Sequence, residues 1–557
     1  MKLDLNEQFK ELQSQFDGTI VTDALHQHIY ATDASVYREL PLAVAFPKTV
    51  EDIQKLVHFA HAHKTSLIPR TAGTSLAGQC VGEGIVVDVS RHFTAIVSLD
   101  EKNKTVTVQP GVIRDELNRY LAPFGLFFGP NTSTSNRCMM GGMVGNNSSG
   151  TTSIKYGVTR DKVISLKTIL SDGSEAEFYA MSATEFSRKR KLENLEGRIY
   201  NQIADLLQPE TVQQEIKNEF PKPEIHRRNT GYALDKLIEN QIFKPENSSD
   251  FNFCALLAGS EGTLNFTTEI TLKLDDLQPK EGVMVAAHFT SIATCLQAVV
   301  PAMAHDLYTC EMMDKVILDC TLNNREQQKN RFFIEGDPKA ILMLEVRDST
   351  REGAVKKAEA LIKDLAESQL CHALPVLYGE QINQALELRK AGLGLLGNIV
   401  GDRKAVACIE DTAVAVEDLA SYISEFSKLM EGYGQDAVYY AHAGAGELHL
   451  RPLLNLKKKK DVVLFRKITT DVAKLVKKYK GSMSGEHGNG IVRAEFIPMM
   501  VGEANYNLMR EIKKIFDPQG IFNPGKIVDT VPMDTHLRYE VGRKEPKNQD
   551  QNGFWRF

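Results

Sequence analysis

Residues 484–490 read SGEHGNG, and residues 439–452 read YYAHAGAGELHLRP. The first places an acid, Glu486, beside His487 with glycine on both sides. Imidazoles and carboxylates are donors to divalent metals and act as acids and bases, and glycine lets a ligand approach the backbone. His442 and His449 are seven residues apart. That odd spacing would turn the two rings to opposite sides of one straight strand. A reversal through Gly444 and Gly446 brings them to one side. His442, His449 and Glu486 then form a divalent-metal set, and His487 is left free beside it as a base. On these residues alone a second reading stays open: two satisfied histidines in a hairpin, and an unrelated hydrated Glu–His loop.

Other chemistry sits in segments dense in small residues. PRTAGTSLAG (69–78) follows an apolar run, and its backbone N–H groups can form an anion-binding concavity aided by the Thr74 and Ser75 hydroxyls. GPNTSTSNRCMMGGMVGNNSSGTTSIKYG (129–157) either loops over the surface or wraps a polar ligand; its Met139, Met140, Met143 and Val144 argue against disorder. AGSEGTL (258–264) is a third such loop, expected between strand-like runs. None is a GxGxxG fingerprint or a Walker loop, so a Rossmann domain is not indicated. Arginine grips carboxylates through paired hydrogen bonds. Arg389 lies in LELRKAGLGLL, Lys404 precedes the IEDTAV stretch, and Arg451 is two residues past His449, on the same strand face.

These residues must be held by a large scaffold. With 557 residues the chain exceeds one ordinary core, so several domains are expected. A net charge of −6 gives no reason to expect nucleic acid as a partner. The eight cysteines are scattered without a CxxC pair, which suits buried reduced thiols and a cytoplasmic protein. The N-terminus is amphipathic and acidic, unlike a signal peptide, and no apolar run is long enough to cross a bilayer. A peripheral place at the inner membrane and a homodimer remain open.

Residues 1–40 read as a helix and an extended link. TVEDIQKLVHFAHAHK has helical periodicity, and SLIP, GIVVDVS, AIVSLD and TVTVQPG read as strands. IRDELNRYLAPFG is a helix ending at glycine. Residues 183–250 read as a helical insertion, after which FNFCALLAGSEGTLNFTTEITLKL returns to strands. From Pro279 a second region begins. Strands MVAAHF and AILMLEV and helices SIATCLQAVVPAMAH and REGAVKKAEALIKDLAES predict an antiparallel sheet with helices on one face. The lysine runs at 457–460 and 477–480 read as solvated helix faces.

Taken together, PRTAGTSLAG, the Gly/Asn/Ser segment, LLAGSEGTLNFTTEITLKL and IFDPQGIFNPGKIV resemble the FAD-binding oxidoreductases of the vanillyl-alcohol oxidase type, within them the D-lactate and D-2-hydroxyglutarate dehydrogenase branch. The likeness runs over roughly residues 40 to 530. It implies an α+β chain: an N-terminal helical segment (1–40), an FAD-binding domain (41–278), an α+β substrate or cap domain with an antiparallel sheet (279–480), a C-terminal segment completing the site (481–530) and a linker-like tail (531–557). It implies that Pro69, Arg70, Thr71, Ala72, Gly73, Thr74 and Ser75 hold the FAD pyrophosphate. Pro130, Thr132, Gly142, Asn146, Ser149 and Gly150 would lie along the flavin, with Glu261, Gly262, Leu264 and Asn523 nearby. Relatives with covalent flavin often carry a histidine where Thr74 stands, so the FAD is expected to be non-covalent.

The resemblance also implies the metal set His442, His449 and Glu486, holding zinc or manganese, with His487 as base. Arg389 and Lys404 fall where it places carboxylate-binding residues; Arg451 is a candidate for a second carboxylate, and Asp411 and Thr412 for contact with the flavin or ordering of the site. Relatives typically read HxGDGNLH, and here Ala445 and Glu447 replace the aspartate and asparagine. The implied reaction is oxidation of a D-2-hydroxy acid to the 2-oxo acid. Two alternatives stay open: an oxidase using O₂, and an FAD-carrying subunit without activity of its own. One bacterial group of larger relatives continues past a similar LRYE segment into a cysteine-rich iron–sulfur domain. This chain matches up to LRYEVGRKEPKNQDQNGFWRF, so it is expected to be the flavin portion of a longer protein whose missing domain would be the electron acceptor.

Overall fold

The computed structural model describes residues 5–543 except 323, 396–400 and 436, so the linker-like tail expected over 531–557 is described only to 543. That part packs on the N-terminal segment, with Met533 buried, the Tyr37 hydroxyl donating to the Met533 carbonyl and the Arg38 N–H to the His536 carbonyl. Residues before 40 form more than a helix and a link. Helices Asn6–Ser14 and Ala24–Tyr30 flank a strand, Thr19–Val21, that pairs antiparallel with Ala43–Phe46. That pair extends into a four-stranded sheet in which Ile85–Asp88 lies parallel to both Ala43–Phe46 and Leu67–Arg70.

The helix Val50–His63 begins where the Thr49 side chain accepts the Asp52 N–H, satisfying one of the free donors of the first turn. Its Ile53, Leu56, Val57 and Ala60 recur at helical spacing and pack into one core with Leu67, Ile85 and Val87 of the sheet. It stops at Lys64, which is left-handed (φ 51°). The chain then delivers residues 71–78 at the end of the strand Leu67–Arg70.

A five-stranded antiparallel sheet follows, in the spatial order Ile96–Asp100, Thr105–Val108, Phe266–Lys273, Val163–Ile169, Glu175–Tyr179. The loop 258–264 does not lie between strands as expected: residues Cys254–Leu257 form a helical turn before it. CALL is a short apolar run, and such runs do not distinguish strand from buried helix.

Residues after 280 build an eight-stranded sheet whose pairs are all antiparallel. Helices cover both faces rather than the expected one. Ala354, Ala358, Leu361 and Leu365 of Arg351–Glu367 share one core with Val285 and Leu344, while Ile317, Leu318, Ala385 and Leu388 share another with Met284 and Met343. The reason is legible in AILMLEV, whose seven residues are all buried; a strand covered on both sides is continuously apolar instead of alternating. Among the described residues no helix is long and apolar enough to cross a membrane.

Candidate active site

The strands Ala437–His442 and Glu447–Leu454 form a hairpin whose register pairs His442 with Glu447 and Tyr440 with His449. His449 therefore sits across from a residue two positions from His442, on the same face, and the two rings lie 5.1 Å apart. The turn needs Gly446: its φ is 72°, and a Cβ there would stand 2.0 Å from the Val414 carbonyl oxygen.

Strand Ile409–Ala413 pairs with the other edge of Glu447–Leu454, and its register shifts between Glu410 and Thr412. The residue at the bulge, Asp411, has φ 79°. Its carboxylate accepts the N–H groups of Glu486 and His487, each at 2.8 Å, and its carbonyl accepts from Gly485 at 2.7 Å. From the other side Glu261 accepts the N–H groups of Asn489 (2.5 Å) and Gly490 (2.9 Å). SGEHGNG is thus a buried loop held by two carboxylates. Asp411 orders the loop; Thr412 is buried and accepts the Tyr422 hydroxyl at 3.0 Å.

Side chains from hairpin and loop converge. Glu486 Oε1 lies 3.5 Å from His442 Nε2 and 3.6 Å from His449 Nε2, and Glu447 Oε1 lies 3.7 Å from His449 Nε2. One ligand atom from each of His442, Glu447, His449 and Glu486 falls within 4.8 Å of the others, and an overlapping set joins Asp411, His449, Glu486 and His487. Glu311 sits 2.8 Å from His442 Nδ1, so that nitrogen donates and Nε2 keeps its lone pair for the cluster. Burial pushes His449 well below the ordinary histidine range, and His442 and His487 push the same way, so its ring is neutral, as a metal ligand must be. Burial works against ionising Glu486, yet Arg227 and the neighbouring histidines hold its carboxyl well below the usual range. Glu447 is pushed well above it by burial and by Glu486, only partly offset by Arg227. Acids crowded with too little positive charge are the chemistry of a cation seat.

His487 Nε2 is 3.2 Å from Glu486 Oε1, and Nδ1 is 2.8 Å from Glu410 Oε1. Burial disfavours the imidazolium, but Asp411 and Glu410 outweigh it and push the ring up to about 10 without a metal ion. Glu410 also accepts Arg451 Nε at 2.8 Å, so one buried carboxylate fixes both the ring and the guanidinium.

A cavity of about 240 Å³ opens beside the cluster, lined among others by Arg389, Lys390, His442, His449 and Arg451. Arg389 is held by Glu311, Tyr440 and the Ala441 carbonyl, with its Nε unpartnered. Lys404 is exposed on a two-residue strand paired with Leu454 and is not among the residues lining either cavity. Its strand joins the sheet beyond the end that carries the histidines.

A second cavity, about 920 Å³, runs along the loops that follow Leu67–Arg70 and shares Glu486, His487 and Arg451 with the first. Its wall includes Pro69 to Ser75, Thr132, Gly142, Asn146, Ser149, Glu261 and Gly262. Gly150 lines the smaller cavity instead. Pro130, Leu264 and Asn523 line neither. Leu264 is core, and the Asn523 amide donates to the carbonyls of Gln79 and Glu261, tying the loops together from behind. The wall suits a large polar ligand. Gln79 Oε1, Ser149 Oγ and Asn265 Nδ2 are buried there without partners, and a Cβ on Gly145 would meet no atom within 4 Å. The volume is at the upper end of ligand pockets, roughly 300–1,000 Å³.

Sequence reasoning missed Glu311, Glu410 and Arg227. The first two had a signal, an acid inside an apolar strand (YTCEMMD, CIEDTAV); Arg227, in the irregular stretch after the helix Glu210–Glu219, had none.

Comparison with known proteins matches residues 41–178 to the FAD binding domain and residues 278–527 to the C-terminal domain of FAD linked oxidases. The chain is 34% identical to D-2-hydroxyglutarate dehydrogenase of Haemophilus influenzae, covering 94% of this chain and 51% of that protein. It is likewise 34% identical to D-2-hydroxyglutarate dehydrogenase of Pseudomonas putida, covering 92% of this chain and 51% of that protein. The chain thus spans about half the length of these curated relatives. Its fold superposes on p-cresol methylhydroxylase with a TM-score of 0.65 at 11% identity, covering 94% of this chain and 96% of the other. With both domains matched in order over most of the chain, the chain belongs to the FAD-linked oxidases, and its fold is of the vanillyl-alcohol oxidase type.

Proposed function

We propose that this chain oxidises a D-2-hydroxy acid, of the 2-hydroxyglutarate class, to the 2-oxo acid. One observation carries the reading: His487 and Glu486 stand where the two cavities meet, so a small acid in one faces whatever fills the other. The likeness to D-2-hydroxyglutarate dehydrogenases supports the substrate class.

FAD, held by residues 69–75 and the 132–149 wall, would supply a two-electron acceptor for the Cα hydride. A divalent ion, zinc or manganese, held by His442, His449 and Glu486, would supply Lewis acidity toward the 2-hydroxyl. The positive charge of that ion beside Nε2 would offset Asp411 and Glu410 and favour the neutral ring, and His487 Nε2 then takes the hydroxyl proton. Glu410, on Nδ1, fixes the ring so that Nε2 faces the cluster. Losing that proton and a hydride converts the alcohol into the 2-oxo acid. Arg451, anchored at one edge by Glu410, presents its other edge to the smaller cavity; with Lys390 and Arg389 Nε it offers cationic donors for two carboxylates. The burial of Arg389, Glu486 and His449 keeps bulk water from the cluster.

The test is a panel of 2-hydroxy acids, both enantiomers, with a dye acceptor. Dye reduction is expected with D acids, fastest with a dicarboxylic one. No bleaching of the yellow chain by any of them would sink the reading. The same preparation checks the flavin linkage. With Thr74 in the loop, acid precipitation is expected to leave the flavin in the supernatant; a yellow pellet would refute the non-covalent assignment.

A further inference from the structure

We propose that the metal seat takes four protein donors rather than three, with Glu447 as the fourth and Arg227 as the positioning residue that aims both carboxylates. The inference rests on the metal-assisted reading above and goes beyond it.

Arg227 is 1% exposed and comes from the stretch between the two matched family domains. Its Nε is 2.6 Å from Glu447 Oε2, and its Nη2 is 2.5 Å from Glu486 Oε2. One planar guanidinium therefore holds the outer oxygen of each carboxylate. Both inner oxygens are left pointing at the imidazoles: Glu486 Oε1 at 3.5 and 3.6 Å from His442 and His449 Nε2, and Glu447 Oε1 at 3.7 Å from His449 Nε2.

Glu447 is fully buried, and neither of its oxygens has a hydrogen bond of good geometry, Oε2 being held only as an ion pair with Arg227. A buried carboxylate oxygen without a partner is costly, and a cation at the centre of this square would satisfy it. The backbone enforces the arrangement, because Glu447 pairs with His442 across the hairpin and points to the same face. Gly485 is required beside it, since a Cβ there would lie 2.3 Å from Glu447 Oε2.

Two consequences follow from the chemistry. A second carboxylate strengthens the hold on a hard divalent ion. With four positions filled by protein, an ion that also meets the substrate must accept five or six ligands, as manganese readily does.

The experiment strips the flavin-loaded protein with a chelator and titrates it with Mn²⁺, reading free Mn²⁺ by electron paramagnetic resonance; Zn²⁺ is measured by competition with a chromophoric chelator. Glu447→Gln keeps size and a partner for Arg227. It is expected to weaken both ions by at least the ~10–100-fold typical of disturbing groups around a metal. Arg227→Lys keeps the charge but loses the two-point grip, and should weaken them less, with the flavin spectrum unchanged. If Glu447→Gln does not fold, Glu447→Asp, which withdraws the oxygen by one methylene, should show the same loss. Wild-type affinity in the Glu447 variants, with a loss in His449→Gln, overturns the fourth donor and keeps the three-donor reading. No ion bound by the unaltered protein overturns both.

Discussion

Replacing His487 with alanine is expected to lower the rate of substrate oxidation by about 10²–10⁴-fold, the usual range for loss of a general base. Flavin and metal content should stay as in the unaltered chain. The ring makes no backbone contact on which the loop depends. The His487 N–H, which Asp411 accepts, survives the change, as do the bonds to Glu486, Asn489 and Gly490 that hold SGEHGNG. The ring's partners are Glu410 on one nitrogen and Glu486 on the other, so its removal takes away a proton acceptor, while Glu486 keeps Arg227 and its N–H on Asp411. Single-turnover bleaching of the flavin by substrate reads the chemical step directly. Bleaching at the unaltered rate would remove His487 from the mechanism.

His442→Ala, His449→Ala and Glu486→Ala are each expected to lose the divalent ion and bring turnover down to that of the chelator-treated chain. Lewis-acid assistance is worth several kcal/mol of barrier, so a fall of about 10²-fold or more is expected. These side chains do little else. His442 and His449 lie on hairpin strands whose ladder does not use their rings, and Glu486 keeps its N–H on Asp411. Retained flavin absorbance separates metal loss from unfolding. Metal analysis of each variant beside its rate is the check. An unaltered protein free of divalent metal, with a rate untouched by chelators, would refute the ligand assignment. Glu486→Ala carries an added cost, because Arg227 then loses one of its two buried carboxylate partners. Its thermal stability is expected to fall more than that of the histidine variants.

Much of the scaffold was legible because it rests on local rules. The helix Val50–His63 announces itself through Thr49 and its apolar spacing, and Ile85–Asp88 through β-branched residues. The likeness to FAD-binding oxidoreductases was carried by ordered glycine-rich loops, and three of these line the larger cavity. Where local reading failed, the cause was tertiary. CALL became a helical turn because burial, not propensity, chose between helix and strand. Helices came to cover both faces of the large sheet, whose strand AILMLEV is buried along its whole length.

The sequence by itself determined which chemical groups the site could use: two histidines on a glycine hairpin, a Glu–His pair between glycines, and loops small enough to line a large cofactor cavity. Residue type and short spacing decide such things, through turn geometry and side-chain periodicity. Only the tertiary structure decided what stands around them. A bulge at Asp411 turns two consecutive acids onto one loop. Glu311 crosses from a strand 131 residues before His442 to take its outer nitrogen. Arg227 reaches in from an irregular stretch to aim two carboxylates. These are contacts between residues far apart in the chain, fixed by the packing of sheets and loops, and no periodicity within a segment encodes them.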